Sequence, residues 1–210
     1  IMLKAMMSDE AVGIYSAAVT CAGLTSFVFS AMYVFVALSA VFILFGGGLR
    51  QAFLERAICL RGLTNISKEN IAGKRIMDMG CGTGVFAILS MKMGAEYAKA
   101  IDIDVWAAEN AKENANKNSV SVDVLLGDAS LLSENEKFDI FFANINRNIL
   151  LADMQTYSNS IQEGGVLFLS GFYSQDVAIL EAECKEFGLE LTDVETKDNW
   201  AAMRLVKTQK

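Results

Sequence analysis

The chain contains no histidine and no proline in 210 residues. Without histidine it cannot build a Ser-His-Asp triad, a Cys-His dyad, a histidine-bearing zinc site or a histidine general base. Average usage would supply about ten prolines, at roughly 5% of residues. Their absence removes cis-proline from any mechanism. Cysteine is sparse: Cys21, Cys59, Cys81 and Cys184 stand far apart, and no C-x-x-C occurs. That is no disulfide framework. Reduced thiols in a cytoplasmic setting are the simplest reading, and no metal is expected. Positive charge is in deficit, with 18 Lys and Arg against 25 Asp and Glu and a formal net charge of −7. The deficit argues against broad binding to a nucleic-acid backbone and is compatible with a basic partner.

Charge is missing altogether from Ala11 to Leu49. Within that run, Leu24–Phe45 is 22 residues long. As a helix it would span about 33 Å, enough for a hydrocarbon core of about 30 Å. Three readings are open. A membrane anchor would be followed on its cytoplasmic side by Arg50, Arg56 and Arg61, giving an inner-membrane tether. A buried core element would also suit its Phe and Val content. A fragment or a shifted reading frame, with Ile1 at its head, would make the stretch non-native. Residues 1–49 are therefore set apart as an apolar leader, and 50–210 as the folded domain.

After Arg50 the texture changes to alternating strand and helix patterns. Helices are expected at 50–63, 84–93, 105–117, 147–161 and 175–187. Strands are expected at 75–79, 97–103, 120–126, 138–143, 165–170, 189–196 and 201–207. A loop is expected at 64–73 and a turn at Lys197-Asp198-Asn199. Alternation of this kind gives an α/β fold with a parallel sheet and helices on both faces. The terminal strand pair requires one strand to run antiparallel.

The strongest motif is Asp78-Met79-Gly80-Cys81-Gly82-Thr83-Gly84, where a strand ends and a helix begins. Glycines at every second position let the backbone turn sharply and approach a ligand. The helix N-terminus behind them offers N–H groups and a positive dipole end, and Asp78 is expected to face the same crevice. The spacing is neither the G-x-G-x-x-G of dinucleotide binders nor a P-loop. The competing reading is a plain β–α turn. Asp102 at the end of the next strand, beside Ile103, can accept both hydroxyls of a ribose. Asp104 is expected to cap the helix from Val105. Asp128 and Ala129 follow the third strand, where a carboxylate and a backbone N–H could read an adenine edge or simply form a turn. Asn144 ends the fourth strand, where substrate meets cofactor in open parallel sheets; alternatively Asn144 and Asn146 shape a loop and cap the next helix.

The run from Asp78 to Gly84 resembles the first motif of class I S-adenosylmethionine-dependent methyltransferases. More narrowly, AIDIDVWAAENAKENA (100–115), FDIFFANINRNILL (138–151), GGVLFLSGFY (164–173) and NWAAMRLVK (199–207) resemble the bacterial ribosomal protein L-11 methyltransferases. The likeness covers about 73–207. It implies a Rossmann-like, seven-stranded, mostly parallel sheet with the last strand antiparallel. It implies S-adenosyl-L-methionine as cofactor, with Asp78, Gly80, Cys81, Gly82 and Gly84 at its methionine part, Asp102 and Ile103 at the ribose, and Asp128 and Ala129 at the adenine. Asn144 would sit beside the methyl group and orient an accepting amine, a lysine or N-terminal amino group of a ribosomal protein. The chain departs from the family in two places. The uncharged leader stands where family members carry a recognition domain. Phe45-Gly46-Gly47-Gly48-Leu49-Arg50 stands where they carry Phe-Gly-Thr-Gly followed by His and Thr. The rivals are a class I methyltransferase for a small amine, glutamine or RNA, a nicotinamide-dependent oxidoreductase, and a non-catalytic relic of the fold.

Overall fold

A computed structural model describes residues 70–133, 135–197 and 199–208. The leader, its membrane reading, the helix expected at 50–63 and most of the loop expected at 64–73 lie outside the described residues.

Seven strands and four α-helices alternate among the described residues. They are β1 (Arg75–Met79), α1 (Val85–Lys92), β2 (Tyr97–Asp102), α2 (Val105–Lys117), β3 (Asp123–Leu126), β4 (Phe138–Asn144), α3 (Arg147–Ser160), β5 (Ile161–Tyr173), α4 (Val177–Glu186), β6 (Leu189–Lys197) and β7 (Trp200–Lys207). They form one sheet in the order β3-β2-β1-β4-β5-β7-β6. The strands β1 to β5 pair in parallel, and β7 runs antiparallel to both β5 and β6. The order reverses between β1 and β4, and this reversal opens the crevice where open α/β sheets take ligands.

Side-chain parity along the strands sorts the core into two layers. Ile76, Ala98, Ala100, Ile140, Phe142, Val166 and Phe168 join Phe86 and Ala87 of α1 and Ala108 and Ala111 of α2. Met77, Met79, Ile101, Phe141, Leu167 and Leu169 pack on the other face against Leu150, Met154 and Tyr157 of α3 and Leu180 and Cys184 of α4. On the first face the Phe142 ring stacks between Phe86 (5.1 Å) and Phe168 (5.5 Å). Both faces of the central strands are covered, which is why apolar residues stand at adjacent positions in β1 (Ile76, Met77) and β4 (Ile140–Ala143) rather than alternating with polar ones. Cys81 and Cys184 are buried free thiols. No helix among the described residues is long and apolar enough to cross a membrane.

Candidate active site

Register carries the strand ends to one edge. Met79 of β1 pairs with Ile101 of β2 and Ala143 of β4, Asp102 pairs with Leu126 of β3, and Asn144 pairs with Ser170 of β5. Four loops therefore leave the same side of the sheet. They are tied to one another by backbone and side chain. The Asp102 carboxylate accepts the Gly82 N–H at 2.8 Å and the Asp104 N–H at 2.9 Å. The Gly127 N–H donates to the Asp102 carbonyl at 2.9 Å, bringing the β3 loop against β2. A Cβ on Gly80 would stand 2.8 Å from Ile145 Cγ1, so the glycine turn and the β4 loop touch.

The glycine turn itself is held from beneath. Gly80 and Cys81 donate their N–H groups to the Ile101 carbonyl at 2.8 and 3.1 Å, and Gly84 donates to the Cys81 carbonyl at 2.8 Å. Gly80, Gly82 and Gly84 all have positive φ, which explains glycine at every second position. A P-loop directs such amides at a phosphate; here those of residues 80, 81, 82 and 84 bond within the chain. Burial and the charges of Asp78 and Asp102 push the Cys81 thiol well above its ordinary value, so it is an inert packing group.

Asp78 departs from its expected exposure. It shares strand parity with Ile76, so it lies on the α1 face, is 1% exposed, and accepts the Ala87 N–H at 3.1 Å. It closes the start of α1 rather than leaving that amide open to the crevice. Burial pushes its carboxyl up to about 7; the Ala87 N–H opposes the rise and the Asp102 charge adds to it.

The remaining carboxylates are wetter. Asp104 caps α2 as expected, accepting the Trp106 N–H at 2.8 Å. Asp128 is exposed at the head of a short 3-10 turn, Ala129–Leu131, and accepts the Ser130 N–H at 2.9 Å. The Ser130 hydroxyl and N–H together hold its carboxyl below the ordinary range. The Ala129 side chain is buried in the core, 6% exposed. Ile103 is 72% exposed at the end of β2, an apolar surface beside two acids. With Asp128, Ala129, Ser130, Leu132 and Ile149 it lines a cavity of about 640 Å³ that runs along α3.

Asn144 closes the other side. Its Oδ1 accepts from the Ser170 hydroxyl at 3.2 Å. Asn146, two residues on, caps α3 by accepting the N–H groups of Asn148 and Ile149. The loop-and-cap reading thus belongs to Asn146, leaving Asn144 at the strand end. Arg147 bonds Asp176 at 2.8 Å, and Asp176 also accepts the Tyr173 N–H at 3.2 Å. This bracket, absent from the sequence reading, ties the β4 loop to the β5 loop. The buried Asp176 carried no motif that would have announced it.

Residues 45–208 match the family described as ribosomal protein L11 methyltransferase (PrmA). The chain belongs to this family. A ribosomal protein L11 methyltransferase of Porphyromonas gingivalis is 51% identical over 137 residues, 64% of this chain and 47% of that protein. One of Phocaeicola vulgatus is 41% identical over 145 residues, 69% of this chain and 52% of that protein. The chain thus spans about half the length of the curated relatives it matches. The crystal structure of a ribosomal protein L11 methylase from Lactobacillus delbrueckii subsp. bulgaricus superimposes with a TM-score of 0.65 at 25% identity, covering 73% of this chain and 80% of that one. As a member of the PrmA family, the chain has the Rossmann-like sheet with its antiparallel β7 that the resemblance implied.

Proposed function

We propose that residues 50–210 form an S-adenosyl-L-methionine-dependent N-methyltransferase domain, acting on an amino group of a ribosomal protein of the large subunit. The observation that carries this reading is the chemistry of the donor set. At the crevice the turn amides are engaged within the chain, and the side chains of Asp102, Asp128 and Asn144 are acids or an amide, while Asp78 lies buried behind the turn against α1. Such an edge fits a ligand that is cationic and rich in hydroxyls, and disfavours a phosphate. S-adenosylmethionine has a sulfonium, an ammonium, a ribose diol and an adenine.

The residues fit that ligand part by part. Asp102 keeps lone pairs beyond those taken by Gly82 and Asp104 and would accept ribose hydroxyls. Gly80, Cys81, Gly82 and Gly84 would pass the methionine part close to backbone, with the buried Asp78 carboxyl behind the turn. Ile103, Asp128 and Ala129 would take the adenine. When bound, the cofactor supplies an electrophilic methyl for in-line displacement by nitrogen. The chain supplies position and electrostatics. An acceptor lysine, near 10.4 in water, must be neutral to attack, so it loses its proton to solvent or on desolvation. The carboxamide oxygen of Asn144 accepts an N–H of that amine and turns its lone pair toward the crevice. Nothing in this scheme needs a histidine. The acidic chain suits a lysine-rich acceptor made in the cytoplasm.

Isothermal titration of the full chain with S-adenosylmethionine tests the first half of the reading; methyl transfer to recombinant L11, followed by mass spectrometry, tests the second. Asp102→Ala is expected to weaken cofactor binding by about 1.5–3 kcal/mol, one charge-assisted hydrogen bond. Asn144→Ala is expected to lower turnover more than cofactor affinity. No binding by the wild-type chain overturns the methyltransferase reading, and binding without transfer to L11 overturns its acceptor.

A further inference from the structure

Asn144 is not left to find its own rotamer. Its strand partner across β4 and β5 is Ser170, and the two side chains meet on the face that also carries Phe142 and Phe168. Ser170 is 3% exposed, and its hydroxyl donates to Asn144 Oδ1 at 3.2 Å. The Ile145 N–H donates to the Ser170 carbonyl at 3.1 Å, so backbone and side chain of Ser170 hold consecutive residues of the β4 loop.

The backbone beyond Ser170 is shaped for this contact. Ser170 pairs with Ala202 of β7 and Phe172 with Ala201, leaving Gly171 as an extra residue between them. A bulge of this kind bends a strand and re-aims the side chain beside it. Gly171 has φ +91, and a Cβ there would lie 2.8 Å from the Ile145 carbonyl and 3.0 Å from Asn144 Oδ1. Only a glycine lets β5 press its backbone against the carboxamide.

We propose that Ser170, presented by the Gly171 bulge, is a positioning residue for the transfer reaction: it occupies one lone pair of Asn144 Oδ1 and thereby aims the other at the incoming amine. This rests on the proposed function, in which Asn144 orients the acceptor nitrogen. A carboxamide oxygen has two acceptor sites. With one held by a buried hydroxyl, the side chain loses its rotational freedom before substrate arrives, and the second site has a fixed direction. Pre-set geometry of this sort contributes to turnover rather than to cofactor affinity.

Two readouts on the full chain test the role. In an isotopically labelled sample, the side-chain amide signals of Asn144, assigned by their loss in Asn144→Ala, should move toward random-coil positions in Ser170→Ala. In enzyme assays, Ser170→Ala should lower kcat about tenfold, one neutral hydrogen bond converted to rate, with KM for the acceptor and Kd for S-adenosylmethionine unchanged. Ser170→Thr, which keeps the hydroxyl, should restore both. If the alanine variant does not fold, Ser170→Cys, a weaker donor of similar size, should show the same signal change and an intermediate kcat. An Asn144 signal that stays in place, or a kcat that does not fall, overturns the role of Ser170. A wild-type chain that binds no S-adenosylmethionine overturns the proposed function instead, and the Asn144 signals then decide by themselves whether Ser170 holds that side chain.

Discussion

Asp78 shows what burial does to a single carboxylate beside the glycine turn. Burial raises it from 3.8 to about 7, so the folded chain holds a proton there that the unfolded chain has already released. A raised folded value gives stability that is present in full below 3.8 and is lost as pH climbs through about 7. Asp78→Asn keeps an acceptor for the Ala87 N–H and removes the titration. Urea unfolding across that range should therefore show a fall in stability for the wild type and a flat profile for the variant. Above the range the variant should stand higher, by a gap on the order of 4 kcal/mol at most. Equal slopes would mean that Asp78 is ionised throughout and that burial does not govern it. The same proton has a functional side. A cationic ligand binding above Asp78 should drive it off, so titrations of S-adenosylmethionine in buffers of different ionisation enthalpy should report proton release near neutrality, and none in Asp78→Asn.

At the level of elements, the Arg147–Asp176 bracket does for the loops what Ser170 does for one side chain. Asp176 is 6% exposed and accepts from both the Arg147 guanidinium and the Tyr173 N–H. Asp176→Ala should cost about 1.5–3 kcal/mol in chemical denaturation, because the Arg147 guanidinium and the part-buried Tyr173 N–H both lose their charged acceptor, whereas Arg147→Ala should cost less because the carboxylate keeps Tyr173. Equal losses would show that the ion pair carries the bracket. The bracket lies between residues far apart in sequence, and no local pattern marks it. Elements with local signals are legible to the residue: β1 by the strand that runs into the glycine turn, α2 by its Asp104 cap. The structure moves the start of β3 from Val120 to Asp123, because Ser119 has φ 56 and the Val120 N–H still bonds the Ala115 carbonyl of α2. It lengthens β5 from 165–170 to Ile161–Tyr173. Gln162-Glu163-Gly164-Gly165 reads as a turn, yet it passes along β4 through a register shift, with Phe138 opposite Ile161 and Ile140 opposite Val166. Helix α4 starts at Val177 rather than Gln175, since Ser174–Asp176 forms a 3-10 turn that presents Asp176 to Arg147. The shared edge of the glycines, Asp102 and Asn144 is legible because each stands at a strand end; their role toward a ligand belongs to the proposed function. The partners that fix them, Ser170 and the amides of the turn, depend on register and bulges that no single segment encodes.

The molecule as a whole uses its acidity twice. At its edges, β3 is only four residues long, and β6 carries Glu190, Asp193 and Glu195, charges that discourage another chain from adding to the sheet. Across the whole chain, 25 acids against 18 bases give a formal net −7, and under the proposed function that charge would attract a basic acceptor from a distance. These are separable from the chemistry. Long-range attraction between exposed charges fades over about 10 Å at 0.1 M salt, whereas Asp102 and its partly buried bonds to the glycine turn are screened far less. Raising ionic strength should therefore lower kcat/KM for a lysine-rich ribosomal acceptor by slowing encounter, leave kcat nearly constant, and change S-adenosylmethionine affinity little. A short uncharged peptide carrying the same acceptor amine should show no such dependence. If kcat/KM for the intact acceptor does not change with salt, surface charge does not recruit it, and recognition must come from contacts of shape and hydrogen bonding that the acidic surface neither helps nor hinders.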